Sequence, residues 1–543
     1  MGYKDAYRDW LSWCDDAEKK ELLLLKDEKE IEDRFYRDLE FGTAGLRGIM
    51  GAGSNRMNRY NVRKATKGFA DYLQDTYGKR CQDGVIIAYD SRNNSADFAA
   101  EAAHVLCAAG IPVKFFTEPE PIPVLSFSVR HFRAAGGIVI TASHNPKEYN
   151  GYKVYGPDGG QLVPRDANVL SRYVENISDL AHIPCTGSKE LLTRLGQDTV
   201  DLFIEEIYKQ STLKGNVGNL KIVYTPIHGS GNIPVRKILK RGGFTDVHIV
   251  ESQEKPDGNF PTVSAPNPEN QDALQLGIKL AGEIGTDPDS DRIGAAVLHN
   301  GKYLLISGSR MGALLVNYLL MMKGKELTGK STIITTIVTG GIGKDIAGKY
   351  GVQVEETLTG FKYIGEKMSQ YEKDGSHEFI FGYEESYGYL AGTHARDKDA
   401  VVTALLICEM ADYFKKQGKT LIDVLAELSK EYGYCLDKLS SYTLAGKKGL
   451  AKIADIMAAL RVKDVQEILP DIGEIRDYAK GIDGLPAENV LKFILKDHSW
   501  IAVRPSGTEP KIKIYCSLKG KDEEETSRRF LMYKEIWERE FDL

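Results

Sequence analysis

The amino-acid sequence predicts an α/β protein: three α/β domains in tandem, a smaller α+β domain after them and a helical arm in front. At 543 residues the chain is too long for one hydrophobic core. Three stretches of it share one grammar. Gly84–Asp90, Lys221–Pro226 and Thr332–Val338 each read as a buried strand ending in a polar turn. Helical spacing follows, as in Ala96–Gly110 and Ile233–Gly242, and then another short apolar strand, which is the βαβ rhythm. The tail breaks that rhythm. After a charged region near Lys447–Asp471 come the strands Ser499–Val503 and Lys511–Tyr515, a loop between them, and a helical stretch from Glu523 onward.

In chain order, residues 1–40 read as the amino-terminal helical arm and 41–205 as the first α/β domain. Residues 206–322 read as the second, 323–445 as the third and 446–543 as the α+β domain. Composition bounds the function. Hydrophobic residues at 42%, charged ones at 27% and a net charge of −6 describe an ordinary soluble protein with no broad basic surface for nucleic acid. The seven cysteines are scattered without a C-x-x-C pair, against a disulfide framework or a thiolate zinc site, and fit a reducing cytoplasm. The first apolar run, Leu22–Leu25, is too short for a signal peptide, and no run approaches the ~20 residues of a membrane span. Met1-Gly2 suggests myristoylation, but Ala6 stands where that motif wants Ser or Thr.

Four loops carry chemistry. In the first domain Gly136–Ile140 reads as a β-branched strand that stops at Thr141-Ala142-Ser143-His144-Asn145-Pro146, so Ser143 is expected as an exposed hydroxyl at a strand's carboxyl end, where open α/β sheets bind ligands. His144 beside it reads either as a base or as a packing residue. In the second domain Asp287-Pro288-Asp289-Ser290-Asp291-Arg292 sets three carboxylates at alternate positions before an apolar strand. Oxygen-only ligands suit Mg²⁺, whereas an EF-hand would need Gly and a carboxylate where Arg292 and Leu298 stand. A solvated acidic turn is the alternative.

In the third domain Phe381-Gly382-Tyr383-Glu384-Glu385-Ser386 offers carboxylates and a hydroxyl suited to sugar hydroxyls, or else plain surface charge. Arg396-Asp397-Lys398-Asp399, downstream, reads as a solvated charge run or a phosphate contact. In the tail, Arg504-Pro505-Ser506-Gly507-Thr508-Glu509-Pro510-Lys511 has the parts of an anion cradle, or of a surface turn. Gly340-Gly341-Ile342-Gly343-Lys344 misses a P-loop, since Val338 and Asp345 replace required residues, and no serine sits in G-x-S-x-G.

With these motifs arriving in order, one per expected domain, the chain from about residue 40 onward resembles the α-D-phosphohexomutases. Phe381–Leu390 looks most like the branch of bacterial α-phosphoglucomutases and phosphopentomutase-like enzymes; Tyr383 stands where many members have Gly. The resemblance implies three α/β domains with mixed sheets and a TATA-binding-protein-like fourth around a central cleft. It implies an intramolecular phosphotransferase in which Ser143 is phosphorylated, and Asp287, Asp289 and Asp291 hold Mg²⁺ with a phosphoserine oxygen. Arg504, Ser506, Gly507 and Thr508 would grip the non-reacting phosphate, Glu384 and Ser386 the sugar hydroxyls. Thr359 and Gly360 would face the sugar, and Lys398 would add a phosphate contact. Arg47, Lys153 and Arg292 would stand at the reaction centre.

Lys153 is the expected proton-handling group, because a lysine crowded by cations has its pKa lowered. Glu-Glu-Ser, rather than Glu-Met-Ser, leans toward glucose 1-phosphate and glucose 6-phosphate through a glucose 1,6-bisphosphate; pentose and mannose phosphates are the alternatives. A silent sugar-phosphate-binding protein and an aspartyl phosphatase are the rivals from other classes. The expected partners are small sugar phosphates, with no nucleic acid or membrane, acting on a monomer or small homo-oligomer.

Overall fold

A computed structural model describes residues 2–42, 45–278, 283–444, 446–462, 465, 469, 471–506 and 511–543. They fall into two compact units, Met1–Ser307 with Phe361–Gln417, and Gly308–Gly360 with Gly418–Leu543.

The first unit opens with the helices Tyr3–Trp13, Asp16–Leu23 and Glu28–Phe35. Asp15 caps the second through the Glu18 N–H and Asp27 the third through that of Lys29. Their apolar faces meet in a cluster of Trp10, Leu22 and Phe35 that takes in Ala52 and Tyr60. A six-stranded mixed sheet follows, ordered Leu46–Ile49, Tyr149–Tyr155, Gly136–Ile140, Val85–Tyr89, Val113–Phe116, Leu192–Leu195. Val85–Tyr89 and Gly136–Ile140 run parallel and are buried throughout, so they read as unbroken apolar runs rather than alternating ones. At Gly137 an added Cβ would lie 2.8 Å from Val129 Cγ2, so the glycine lets the helix Ile122–His131 press onto the serine-bearing strand.

A second, five-stranded sheet joins Ile222–Thr225 in parallel to Val247–Ile249 across the helix Asn232–Arg241, the expected βαβ unit. Its other side is the antiparallel series Glu283–Thr286, Ile293–His299, Lys302–Ile306. Phe361–Gln417 adds the hairpin of Glu378–Glu384 and Gly388–Ala391, then the helix Ala400–Lys415, which Asp399 caps through two backbone N–H groups.

In the second unit the parallel strands Ser331–Thr336 and Gln353–Thr357 flank the helix Ile342–Lys349. Its antiparallel sheet runs Tyr434–Thr443, Lys511–Gly520, Trp500–Pro505, Leu491–Leu495, Ile472–Asp477. The helices Gly446–Val462 and Glu523–Phe541 supply Ile456, Met457, Leu460 and Trp537 to a core shared with Phe493 and Ile501. All seven cysteines are free. Among the described residues no helix is long and apolar enough to cross a membrane.

Candidate active site

Ser143 stands where the sequence placed it, three residues beyond the strand Gly136–Ile140. Its backbone is left-handed, with φ 52°, a conformation that costs a non-glycine residue on the order of 1 kcal/mol or more. Local bonds hold it there. The Ser143 N–H donates to Thr141 Oγ1 (2.8 Å), and the Thr141 hydroxyl in turn donates to Asp90 Oδ2 (2.6 Å). Arg92, its guanidinium wholly buried, donates to the carbonyls of Ser143 (2.6 Å), Pro146 (2.9 Å) and Tyr149 (3.1 Å) and also to that of Asn145. One guanidinium thus ties the whole turn to the end of the neighbouring strand.

The expectation of an exposed hydroxyl is corrected: Ser143 is only 4% exposed. Its Oγ donates to Asp287 Oδ2 at 2.9 Å and lies 3.2 Å from His144 Nδ1. The acidic loop over that hydroxyl covers it.

The loop joins Glu283–Thr286 to Ile293–His299 and turns at Ser290, which has φ 48° and donates its N–H to the Asp287 carbonyl (3.0 Å). Asp287, Asp289 and Asp291 are all buried, with one oxygen of each within 4.8 Å of the others. The acidic turn is therefore not solvated. Buried Asp289 Oδ1 and Asp291 Oδ1 have no hydrogen-bond donor, an arrangement that suits a hard cation.

Burial pushes Asp287 well above the usual carboxylate range, and Asp289 and Asp291 push it further. Burial raises Asp291 too, aided by Asp289. At Asp289 burial acts the same way but loses to Lys153, the Asp287 carboxyl and Lys398, which hold it at about 2. A cluster of three carboxylates with one firmly ionised member is poised to trade protons for a metal ion.

Lys153, on the strand Tyr149–Tyr155, reaches Asp289 Oδ2 at 3.2 Å and Asp291 Oδ2 at 4.0 Å. Carboxylates surround it, so the expected crowding by cations is corrected. Lys398 lies 3.1 Å from Asp291 Oδ2 and 3.0 Å from Asp397 Oδ1; burial opposes its charge, but these two carboxylates and Glu384 push its pKa up. Arg292 pairs with Glu269 (2.6 Å), and Arg47 donates to Asn145 Oδ1 (3.3 Å) on the serine loop.

Arg396–Asp399 is not a solvated run either. Arg396, Asp397 and Asp399 are buried. Arg396 donates to the carbonyls of Thr393 (2.8 Å) and Ala395 (3.0 Å), and Asp397 accepts the Tyr155 hydroxyl (2.8 Å). Glu384, 4% exposed, ends the first strand of the hairpin opposite Gly388, and the half-buried Ser386 lies in the turn between them, so the surface-charge alternative fails for Glu384. At Gly388 an added Cβ would lie 2.1 Å from Lys398 Cδ; only glycine lets the lysine stem cross the hairpin.

These groups all belong to the first unit. The second holds the rest. Thr359 and Gly360 follow the strand Gln353–Thr357, the buried Thr359 Oγ1 without a hydrogen-bond partner. Arg504 closes the strand Trp500–Pro505 and pairs with Glu488 at 2.9 Å; the Ser506 N–H donates to the Lys511 carbonyl at 2.8 Å. Gly507 and Thr508 lie outside the described residues.

Sequence reasoning missed Arg92 and Glu269, and named Asp397 only as part of a charge run or phosphate contact. The signal for Arg92 was present: Asp90-Ser91-Arg92 ends a buried strand parallel to the serine-bearing one.

Four family models match the chain: phosphoglucomutase/phosphomannomutase α/β/α domain I over residues 38–181, domain II over 201–301, domain III over 307–432 and the C-terminal domain over 443–530. A phosphoglucomutase of Staphylococcus haemolyticus is 36% identical over 551 aligned positions, covering 97% of this chain and 98% of that one. Among solved structures, the open form of parafusin from Paramecium, a phosphoglucomutase, superposes with a TM-score of 0.70 at 18% identity, covering 92% of this chain and 95% of its own. A phosphoglucomutase/phosphomannomutase family protein from Burkholderia thailandensis gives 0.66 at 20% identity, covering 92% and 97%.

Proposed function

The chain belongs to the phosphoglucomutase/phosphomannomutase family, and from that premise we propose that it interconverts glucose 1-phosphate and glucose 6-phosphate through a phosphorylated Ser143. The observation that carries the reading is the Ser143 hydroxyl, fixed by a strained turn and placed 2.9 Å from the first of three buried carboxylates.

The chemistry asks for position and charge more than for covalent machinery. The P–O bond to Ser143 breaks as one forms to a sugar hydroxyl, and the bisphosphate turns over. Its other phosphoryl group then returns to the Ser143 oxygen. Arg92 and Thr141 hold the Ser143 backbone still between the two transfers, which keeps its hydroxyl in one place. The residues that would hold Mg²⁺ are Asp287, Asp289 and Asp291 with an oxygen on Ser143, and their unpartnered buried oxygens fit it. Such an ion supplies positive charge against the phosphoryl oxygens.

Lys153 stands at the reaction centre, 3.2 Å from Asp289 Oδ2. His144, 3.2 Å from Ser143 Oγ, is within reach to take and return a hydroxyl proton. Arg47 and Arg292 add charge at that centre, Lys398 contacts phosphate, and Glu384 and Ser386 bind the sugar hydroxyls. Thr359 and Gly360 face the sugar, while Arg504 and Ser506 hold the non-reacting phosphate together with Gly507 and Thr508.

The test is turnover with Mg²⁺ and a bisphosphate primer on glucose, mannose and ribose 1-phosphates at equal concentration. A preference for glucose of tenfold or more, about 1.4 kcal/mol, is expected. Preference for the pentose moves the reading to a phosphopentomutase. Turnover of none of them overturns it in favour of a silent binding protein.

A further inference from the structure

The second unit contains a buried cation that the phosphoryl chemistry does not use. Lys492 lies in the strand Leu491–Leu495 and is only 4% exposed. Its Nζ donates to the Ile337 carbonyl at 2.6 Å, stands 3.7 Å from Glu356 Oε1 and lies 4.6 Å from the centre of the Trp500 ring. Burying an ammonium is costly, and a methionine of similar length would carry no such cost. Burial draws Lys492 down to about 8, with Lys344 and Arg476 on the same side and only Glu356 opposing them. Glu356 answers two lysines, Lys344 being the other.

What these contacts join is informative. The Ile337 N–H donates to the Thr357 carbonyl at 2.9 Å, two residues before Thr359. On the other side Lys492 faces Ala502 across the strand pair, two residues before Arg504. The side chain therefore links Ile337 and Glu356 to Trp500, in the strand that ends at Arg504, while its own backbone pairs with Ala502 of that strand. Lys519 and Asp345, 2.9 Å apart, make a second tie between the same antiparallel sheet and the helix Ile342–Lys349, but that pair is half exposed.

We propose that Lys492 is a positioning residue that fixes the loop bearing Thr359 and Gly360 in register with the strand end bearing Arg504, so that sugar and non-reacting phosphate are gripped at one set spacing. This rests on reading those residues as substrate contacts. Sugar-phosphate binding then depends on a lysine that touches no substrate. Losing it weakens ground-state and transition-state binding alike, which raises KM and leaves kcat nearly unchanged.

The experiment compares Lys492→Met, Glu356→Gln and, as control, Lys519→Met with the parent enzyme, measuring KM and kcat for glucose 1-phosphate and amide hydrogen exchange. For Lys492→Met the expected result is a KM about tenfold higher with kcat within about twofold, and faster exchange at residues 337–341 and 357–360. Glu356→Gln should move both readouts the same way by less, and Lys519→Met neither. An unchanged KM for both Lys492→Met and Glu356→Gln, or exchange that does not quicken, overturns the proposal. Should Lys492→Met not fold, Glu356→Gln decides alone. Should the parent enzyme turn over no sugar phosphate, the mutase reading falls, and the exchange measurement separately decides whether Lys492 links the two segments.

Discussion

The surroundings of Ser143 and of Arg504 treat charge differently: the first encloses it, and the second leaves Arg504 and its partner Glu488 each 21% exposed. Around Ser143, in the first, every carboxylate of the acidic triplet is buried and Lys153, Lys398 and Arg92 are enclosed with them. In the second, Arg504 lies in the strand Trp500–Pro505 and Ser506 follows it. A reacting centre gains from dipoles fixed before substrate arrives; a grip on the far phosphate, the role proposed for Arg504 and Ser506, needs only enough order to be complementary once bound. The comparison predicts that substitutions around Ser143 act on kcat or on folding, and those at Arg504 and Ser506 on KM.

The largest expected effect is at Ser143. Ser143→Ala should lower kcat on the order of 10⁴-fold or more while glucose 1-phosphate still binds, seen by isothermal calorimetry. Turnover within tenfold of the parent would break the comparison at its centre, because the buried hydroxyl would then have no covalent part.

Arg92→Met comes next. Removing the guanidinium leaves Asp90 and four loop carbonyls without it in a dry interior, and loss of one partner from a buried ion pair costs about 3–5 kcal/mol. Urea denaturation should show that loss. A change under about 1 kcal/mol would mean water replaces the guanidinium and the turn is less rigid than described.

Asp289→Asn sharpens the metal reading. Asp289 is the triplet member held ionised, at about 2, so it offers a charged oxygen at neutral pH. A ligand at a hundred times its Kd stabilises a fold by about 2.7 kcal/mol. Mg²⁺ should raise the parent's melting temperature accordingly and leave that of Asp289→Asn unmoved. An equal rise in both proteins would place the ion elsewhere.

How much of this was legible from residues alone follows the same division. The three strand–helix–strand units were visible because parallel strands covered on both faces are written as runs such as Val85–Ala88 and Ile138–Ile140. The acidic triplet was visible because alternate spacing around a proline is rare in an ordinary turn. Burial was not legible. Arg396–Asp399 has the composition of a surface run, and only the fold shows Asp397 under the Tyr155 hydroxyl. Lys153 was expected among cations because its partners come from a different domain, 136 residues away in sequence. Arg92 escaped notice for the same reason: its task depends on which strand lies beside the serine-bearing one, and periodicity does not report strand order.

The smallest effect separates the two regions most finely. Ser506 follows Arg504 by two residues, and its N–H donates to the Lys511 carbonyl at 2.8 Å. Ser506→Ala therefore keeps that backbone bond and removes only a hydroxyl, a loss of about 0.5–1.5 kcal/mol when the hydroxyl bonds a ligand. In steady-state kinetics KM for glucose 1-phosphate should rise by roughly two- to tenfold, with kcat and the melting temperature unchanged. A fall in kcat of the same size would show that Ser506 acts in the transition state and not on binding alone, and the assignment of its effect to KM would fail.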